Sequence, residues 1–469
     1  MKSQPPLVST ELEVPVVSLR DGTPPPPEVF QSLWDSLAGL SWKRQAFGVA
    51  REYPLAVPCM NPLQSMVTDS GPTLELVTSP ATSISRIALQ LDDLQTEARA
   101  ALEDLGYAML GCAVHPRLRA VPEEYYRYRT PRASYDYAIE QRRWNHWSIV
   151  HIASVQEVVD VELADAVRVM RLLHRLAGLM NFLLRNDPDL DGQYGGALSI
   201  RPQAWRDHVP HSGLFAADAE RVYIPGREFS SWRDYLSLLW EQGAMFLIGT
   251  KDKGLAYVPQ HPTFMRFLKE TPDGGWPAKT LAGEEIRVVP EFAQVTQTDW
   301  TYMGMARIRW KWRDSSIEIG AFLDAWQRDD IEAFLAANLE KVVVENRCNS
   351  TQPPGENLAS LALVTGLITN LDQALELAMR EPYSFWALVL EASMTAPFDS
   401  TVADRPILVL AREMVDVARE GLRVRGEVEA ERALSSLYAR IDDRCSYSER
   451  LLRDYRSGGV ERLIKRLRI

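Results

Sequence analysis

Cysteine is scarce in this sequence. Four residues in 469 (Cys59, Cys112, Cys348 and Cys445) stand far apart, with no CxxC pair among them. That spacing excludes the common structural zinc motifs and favours reduced thiols over a disulfide framework. A basic excess is also missing. The formal net charge is -11 at pH 7, which excludes general nucleic-acid affinity unless a basic patch is concentrated on one face. No apolar run approaches the roughly 20 residues of a membrane span, and the opening MKSQPPLVST has no apolar leader core. The expectation is a soluble, cytoplasmic protein with neither membrane nor nucleic acid as a partner. Glycine-rich phosphate loops are lacking as well: there is no GxxxxGKS/T, no convincing GxGxxG and no GxSxG. P-loop, dinucleotide-fold and serine-elbow chemistry therefore find no support.

What the sequence does contain is a set of acids in apolar strands. In STELEVPVV (9–17), alternation puts Glu11 and Glu13 on one face and Leu12, Val14 and Val16 on the other. TLELVT sets Glu75 between leucines, and SSIEIGAF sets Glu318 between isoleucines. Taken singly, each is explained by a solvent-facing position on a half-buried strand. Taken together, acids converging from separate strands repel one another unless divalent cations neutralise them. Carboxylate oxygens suit Mg²⁺ or Mn²⁺, ions that commonly bridge to nucleotide phosphates.

Cations follow a similar pattern. In ARIRWKWR, Arg307, Arg309, Lys311 and Arg313 alternate with Ile308, Trp310 and Trp312, either as a charged edge strand or as a phosphate-binding face. Arg201 in ALSIRPQAW is a candidate clamp for a substrate carboxylate. His146 and His151 in HWSIVH, read as strand, face opposite sides and cannot share a metal. His115 reads as a packed strand-end histidine. The stretch YYRYRTPRASYDY reads as a solvated rim or a substrate-side loop.

Along the chain, the opening third reads β, α, β, α, β, followed by a strand in WSIVHIASVQEVVDV and a long helix from about Leu163 to Arg185 that Pro188 stops. Residues 223–300 are loop-rich, with TPDGGWPAKTLAGEEI, and the segment 273–284 in particular, read as a mobile hairpin or lid. ARIRWKWRDSSIEIGAF reads as a late strand pair, and the pattern from about 325 onward as almost wholly helical. Strands early and helices late give an α+β class, a sheet covered by helices. The expected division is a catalytic part over 1–335 and a helical C-terminal region over 336–469.

Six segments, STELEVPVV, VTDSGPTLELVTSP, GYAMLGCAVHP, IASVQEVVDV, ALSIRPQAW and RDSSIEIGAF, occur in the order of corresponding segments in the glutamate–cysteine ligase family. The sequence resembles the plant and bacterial type of that family over roughly 9–330. The resemblance implies a glutamine synthetase-like funnel built on a curved, mainly antiparallel sheet, with ATP and metals at one end and amino acids at the other. It implies Glu11, Glu13, Glu75, Gln156 and Glu318 as Mg²⁺ ligands, with Glu11, Glu75 and Glu318 central to catalysis. It also implies Arg201 as the grip on an amino-acid carboxylate and Asp69 as an acid on the cysteine side; Arg307 and Arg309 are candidates for phosphate. One departure stands out. The family's late strand reads E-x-R, whereas here Gly320 occupies the place of the arginine two residues after Glu318, so that Arg307 or Arg309 would have to substitute or the substrate would have to differ.

The activity so implied is an ATP- and Mg²⁺-dependent carboxylate–amine ligase forming a γ-glutamyl-type amide through an acyl phosphate, acting on small amino acids or short peptides. Two alternatives stay open: phosphorylation without ligation on the same scaffold, and a non-catalytic binding protein that keeps the fold.

Overall fold

The computed structural model describes residues 5–40, 42–45, 48–52, 63–68, 71–298, 301–314 and 316–469. Thirteen strands carry the argument: β1 (Val8–Ser18), β2 (Lys43–Gln45), β3 (Gly48–Glu52), β4 (Leu63–Val67), β5 (Thr73–Val77), β6 (Tyr107–Met109), β7 (Val155–Asp160), β8 (Ile248–Thr250), β9 (Gly254–Tyr257), β10 (Trp276–Thr280), β11 (Glu285–Val288), β12 (Ala306–Trp312) and β13 (Leu339–Asn346). The main antiparallel sheet runs β12-β13-β7-β1-β5-β4-β3-β2, with β6 paired to the end of β1. A smaller antiparallel sheet runs β11-β10-β9-β8.

In β1, Val8, Thr10, Leu12 and Val14 are buried, whereas Ser9, Glu11 and Glu13 are only partly so. The buried row faces a helical layer. Its members include α2 (Ile84–Asp104; α1, Pro27–Ala38, precedes it), α5 (Leu163–Leu184) and the helix Asn357–Thr369, each in contact with the main sheet. Helix α2 starts where the Ser83 side chain accepts from the Arg86 amide at 3.2 Å, and it turns Ile84, Ile87, Leu91, Leu94 and Ala98 inward at helical spacing. Helix α5 is buried nearly all round, as a helix with sheet on one side and helices on the other must be.

The structure corrects several sequence expectations. Three strands, β2 to β4, intervene before β5, so the opening is not a plain β, α, β, α, β. WSIVH is not strand: His146–Ile149 is a 3₁₀ turn and β7 begins only at Val155, so the argument that placed the two histidines on opposite faces of a strand lapses. The loop-rich segment 223–300 contains the smaller sheet, and its expected hairpin is β10 and β11, which pair Trp276 with Val288. The described residues of RDSSIEIGAF form no second strand; Ile319–Gln327 is a helix because Phe322 and Trp326, four apart, bury the same face. The reading of 325 onward as almost wholly helical does not single out β13, whose Val342, Val343 and Val344 favour strand. β13 lies between β12 and β7, beyond the boundary expected at 335/336, so the sheet itself runs past that point.

Candidate active site

The polar face of the main sheet is set by register. Glu13 lies directly opposite Glu75 on β5, Glu11 opposite Gln156 on β7, and Glu345 on β13 opposite both Val158 and Arg307. Directly opposed residues share a face. Glu11, Glu13, Glu75, Gln156, Glu345, Arg307 and Arg309 therefore all project to one side of one sheet, away from the helical layer. Like charges at Glu13 and Glu75 on neighbouring strands are unfavourable unless a cation joins them.

Hydrogen bonds tie this face into a chain. Ser154 Oγ donates to Glu13 Oε2 at 2.7 Å and Gln156 Nε2 donates to Glu13 Oε1 at 3.2 Å. The Gln156 amide oxygen accepts from Arg347 Nη1 at 2.8 Å, and the same nitrogen donates to Glu345 Oε1 at 2.5 Å. Arg307 Nε closes the row on Glu345 Oε2 at 2.8 Å. Burial opposes ionisation of Glu345, yet Arg307, Arg347 and Arg309 hold its carboxyl well below the usual range. At Glu11 the balance is reversed: burial, and then the Glu345 charge, push its carboxyl up against the pull of Arg307, Arg347 and Arg309.

Two cavities open on this face. The first is lined by Glu13, Glu75 and Gln156 from the sheet, by Arg347, and by Arg201 at the start of α6 (Arg201–Arg206; α3, Pro122–Tyr128, and α4, Ala133–Glu140, lie earlier). The second is lined by Ser9, Glu11, Arg309, Lys341, Asp160 and Glu345, with Lys341 paired to Asp160 at 3.0 Å. Arg201 is held by the Asp187 carboxylate, which accepts from its backbone amide at 2.7 Å and from the Ser199 and Ser350 hydroxyls. Its Nε and Nη2 both donate to the Arg347 carbonyl, at 3.2 and 2.8 Å, which leaves Nη1 for a ligand.

Of the sequence candidates, the sheet brings together Glu11, Glu13, Glu75, Gln156, Arg307 and Arg309, and Arg201 joins them at the first cavity. Glu318 does not join them. It is exposed at the N-cap of the helix that replaces the expected strand. Asp69 lies outside the described residues. His115 is buried, its Nε2 paired with the Val16 carbonyl at 3.1 Å, as a packed histidine would be. The sequence reading missed Glu345, Arg347 and Ser154, and it weighed His146 only as a metal ligand. For the first two a signal existed: EKVVVENRC carries a β-branched run and the spacing Glu345-Asn346-Arg347, the E-x-R pattern sought in vain at 318–320.

The donor chemistry fits a hard divalent ion, since carboxylate oxygens dominate the face. Among the described residues no three acidic, histidine or cysteine side chains converge closely enough to cage an ion by themselves. Mg²⁺ seldom needs such a cage, because it takes one or two carboxylates and completes its shell with water and substrate phosphates.

Two solved structures are similar to the whole length of this chain. One is a bifunctional glutathione synthetase from Pasteurella multocida, at 14% identity and a TM-score of 0.52 over 98% of this chain and 51% of that one. The other is glutamate–cysteine ligase from Francisella tularensis in complex with AMP, at 13% identity and a TM-score of 0.51 over 99% of this chain and 87% of that one. The chain thus spans about half the length of the bifunctional enzyme. No curated protein matches the sequence. At such identities the likeness defines a class by fold, mixed helix and antiparallel sheet of the kind found in these ligases. Residues 7–466 match the sequence model of glutamate–cysteine ligase family 2 (GCS2), and the chain belongs to that family. Among the described residues, no single helix is long and apolar enough to cross a membrane.

Proposed function

We propose that this chain is an ATP-dependent carboxylate–amine ligase that uses Mg²⁺ or Mn²⁺ and acts on small amino acids or short peptides, with the glutamine synthetase-like arrangement that its family resemblance implies. The observation that carries the reading is the sheet face itself: Glu11, Glu13 and Glu75 beside the Arg307–Glu345–Arg347 triad, with a cavity at either side.

In this reading Glu11, Glu13 and Glu75 would hold divalent ions, whose chemistry is to neutralise charge on the transferred phosphoryl group. The second cavity takes the nucleotide, with Arg309 facing its phosphates. Arg201 Nη1 orients an amino-acid carboxylate in the first. Glu345 keeps Arg347 aimed at Gln156, and Gln156 in turn fixes Glu13, so the acids present a set geometry to the reactants. The substrate carboxylate attacks the terminal phosphorus and ADP leaves. The amine nitrogen then forms the C–N bond as the acyl C–O bond breaks, phosphate departs with the electron pair, and the nitrogen loses its extra proton to water. No side-chain nucleophile is needed, in keeping with the missing serine and cysteine motifs.

Incubation with ATP, Mg²⁺ and all proteinogenic amino acids, read by ADP release and by mass spectrometry, tests the reading. ADP together with a new amide is expected. ADP without an amide would favour phosphorylation alone, and no nucleotide binding would favour a non-catalytic scaffold.

A further inference from the structure

The first cavity has a second wall, made by Tyr135, His146, Trp205, His208 and Met303, none of which takes part in the chemistry above. Its rings pack on one another. Tyr135 stacks on His146 at 4.9 Å, and His208 meets His146 edge-on at 4.4 Å. The Trp205 ring lies 5.7 Å from the Arg201 guanidinium and 5.6 Å from that of Arg347, so the aromatic wall begins where the cations end. Burial lowers both histidines, His208 to about 4, and keeps the wall uncharged at neutral pH. The nearby Arg129 does not change this, because its charge is committed to Asp136 at 2.5 Å.

Several polar atoms of this wall have no hydrogen-bond partner among the described residues. His146 is 4% exposed, and both its ring nitrogens are enclosed without a hydrogen bond, as is Trp205 Nε1. His208 Nδ1 donates to the Asn145 carbonyl at 3.1 Å, so its neutral ring offers Nε2 as an acceptor. Enclosed polar groups are ordinarily satisfied, and those that are not call for an explanation. Here the wall presents an indole donor, an imidazole acceptor and one imidazole able to do either.

We infer that this wall is the side-chain subsite for the amine substrate and selects an amino acid whose side chain is an uncharged, hydrogen-bonding ring: imidazole, indole or phenol. The inference rests on the ligase reading. The ring wall shares no residue with the second cavity, so it faces an amino-acid reactant and not the nucleotide; with the carboxylate to be activated on the Glu13 and Glu75 side of the first cavity, the amine substrate is assigned to the ring side. A ring fits stacked aromatic neighbours. Among the described residues, the ring side of the cavity offers an acidic side chain no cation and a basic one no carboxylate, since those groups stand on the sheet side. An aliphatic one would leave the polar atoms unpaired, which is how sites built to hydrogen-bond reject analogues.

The test is competition among amine acceptors in the full chain with ATP and Mg²⁺, using equimolar histidine, tyrosine, tryptophan, alanine, cysteine, aspartate and lysine with glutamate as donor, and all other proteinogenic amino acids as donors in parallel. Amides of a ring-bearing acceptor are expected to exceed those of alanine, aspartate and lysine by about tenfold or more. Trp205→Phe, which keeps the ring and removes the N–H, is expected to reduce that preference several-fold, mainly through KM. Amides of alanine or cysteine formed as readily as those of ring-bearing acceptors would overturn the subsite and leave the ligase reading standing. ADP release absent from every mixture would overturn the ligase reading and this inference with it.

Discussion

Glu345 accepts from Arg307 at 2.8 Å and from Arg347 at 2.5 Å, with its own side chain 1% exposed. Removing one partner of such a buried pair leaves uncompensated charge and costs about 3–5 kcal/mol. Glu345→Gln is therefore expected to lose that much stability in denaturant unfolding, because two buried guanidinium groups lose their counter-charge. Glu318→Gln, at an exposed helix cap, is expected to stay within about 0.5 kcal/mol of the parent chain. Equal stability of the Glu345 variant and the parent would contradict the ion-pair account. Glu11 is the contrasting case. It borders the same cations, yet burial and the Glu345 charge work against its ionisation, so an added cation would favour its charged form.

At the scale of elements, β7 works on both sides of the sheet. Gln156 points to the polar face, and Glu157 points into the helical layer. There Glu157 accepts from Asn346 Nδ2 at 2.6 Å, from Asn349 Nδ2 at 3.2 Å and from the Ser360 hydroxyl, tying β13 and the helix Asn357–Thr369 to β7. Burial pushes the Glu157 carboxyl up to about 7 against these hydrogen bonds, from an ordinary 4.5. The folded chain thus keeps a proton that the unfolded chain releases. The stabilisation linked to this group is full below pH 4.5 and is lost as pH rises toward 7, by up to about 3 kcal/mol. The stability difference between the parent and Glu157→Gln should shift by that amount between pH 4.5 and 7, measured by denaturant unfolding at each pH. A flat difference would contradict the assignment.

The elements also show which parts of the site were legible in the sequence. Glu11, Glu13 and Glu75 could be read because strict alternation within apolar strands survives folding unchanged. SSIEIGAF imitates that alternation over a few residues, but the later Phe322 and Trp326 impose the helical period, and burial of those rings decides. β13 was hidden by its setting: a strand between two helical segments, paired with partners about 35 and 185 residues earlier in the chain, leaves no local trace of its pairing. The ring wall of the first cavity was illegible for the same reason, since Tyr135, His146, Trp205 and Met303 come from four separate segments.

For the whole molecule, the arrangement is a sheet with one covered and one open face. Helices close the covered side tightly. The helices Asn357–Thr369 and Ile407–Arg425 approach so closely that a Cβ added at Gly421 would fall 1.9 Å from the Gly366 carbonyl oxygen, so only glycine fits there. That layer fixes the sheet from behind, while the acids and arginines of the open face come from strands as distant in sequence as β1 and β13. A division of the chain at 335/336 would remove an interior strand, because β13 carries Glu345 and joins β12 to β7.

The central claim is that acids on the open face, and not Glu318, present divalent metal with nucleotide. Equilibrium binding of Mn²⁺·ATP to the parent chain, to Glu75→Gln and to Glu318→Gln tests it most directly. Loss of binding by about 100-fold or more in the Glu75 variant, with the Glu318 variant matching the parent, is the expected result. Parent-like binding in Glu75→Gln, or loss in Glu318→Gln, would contradict it.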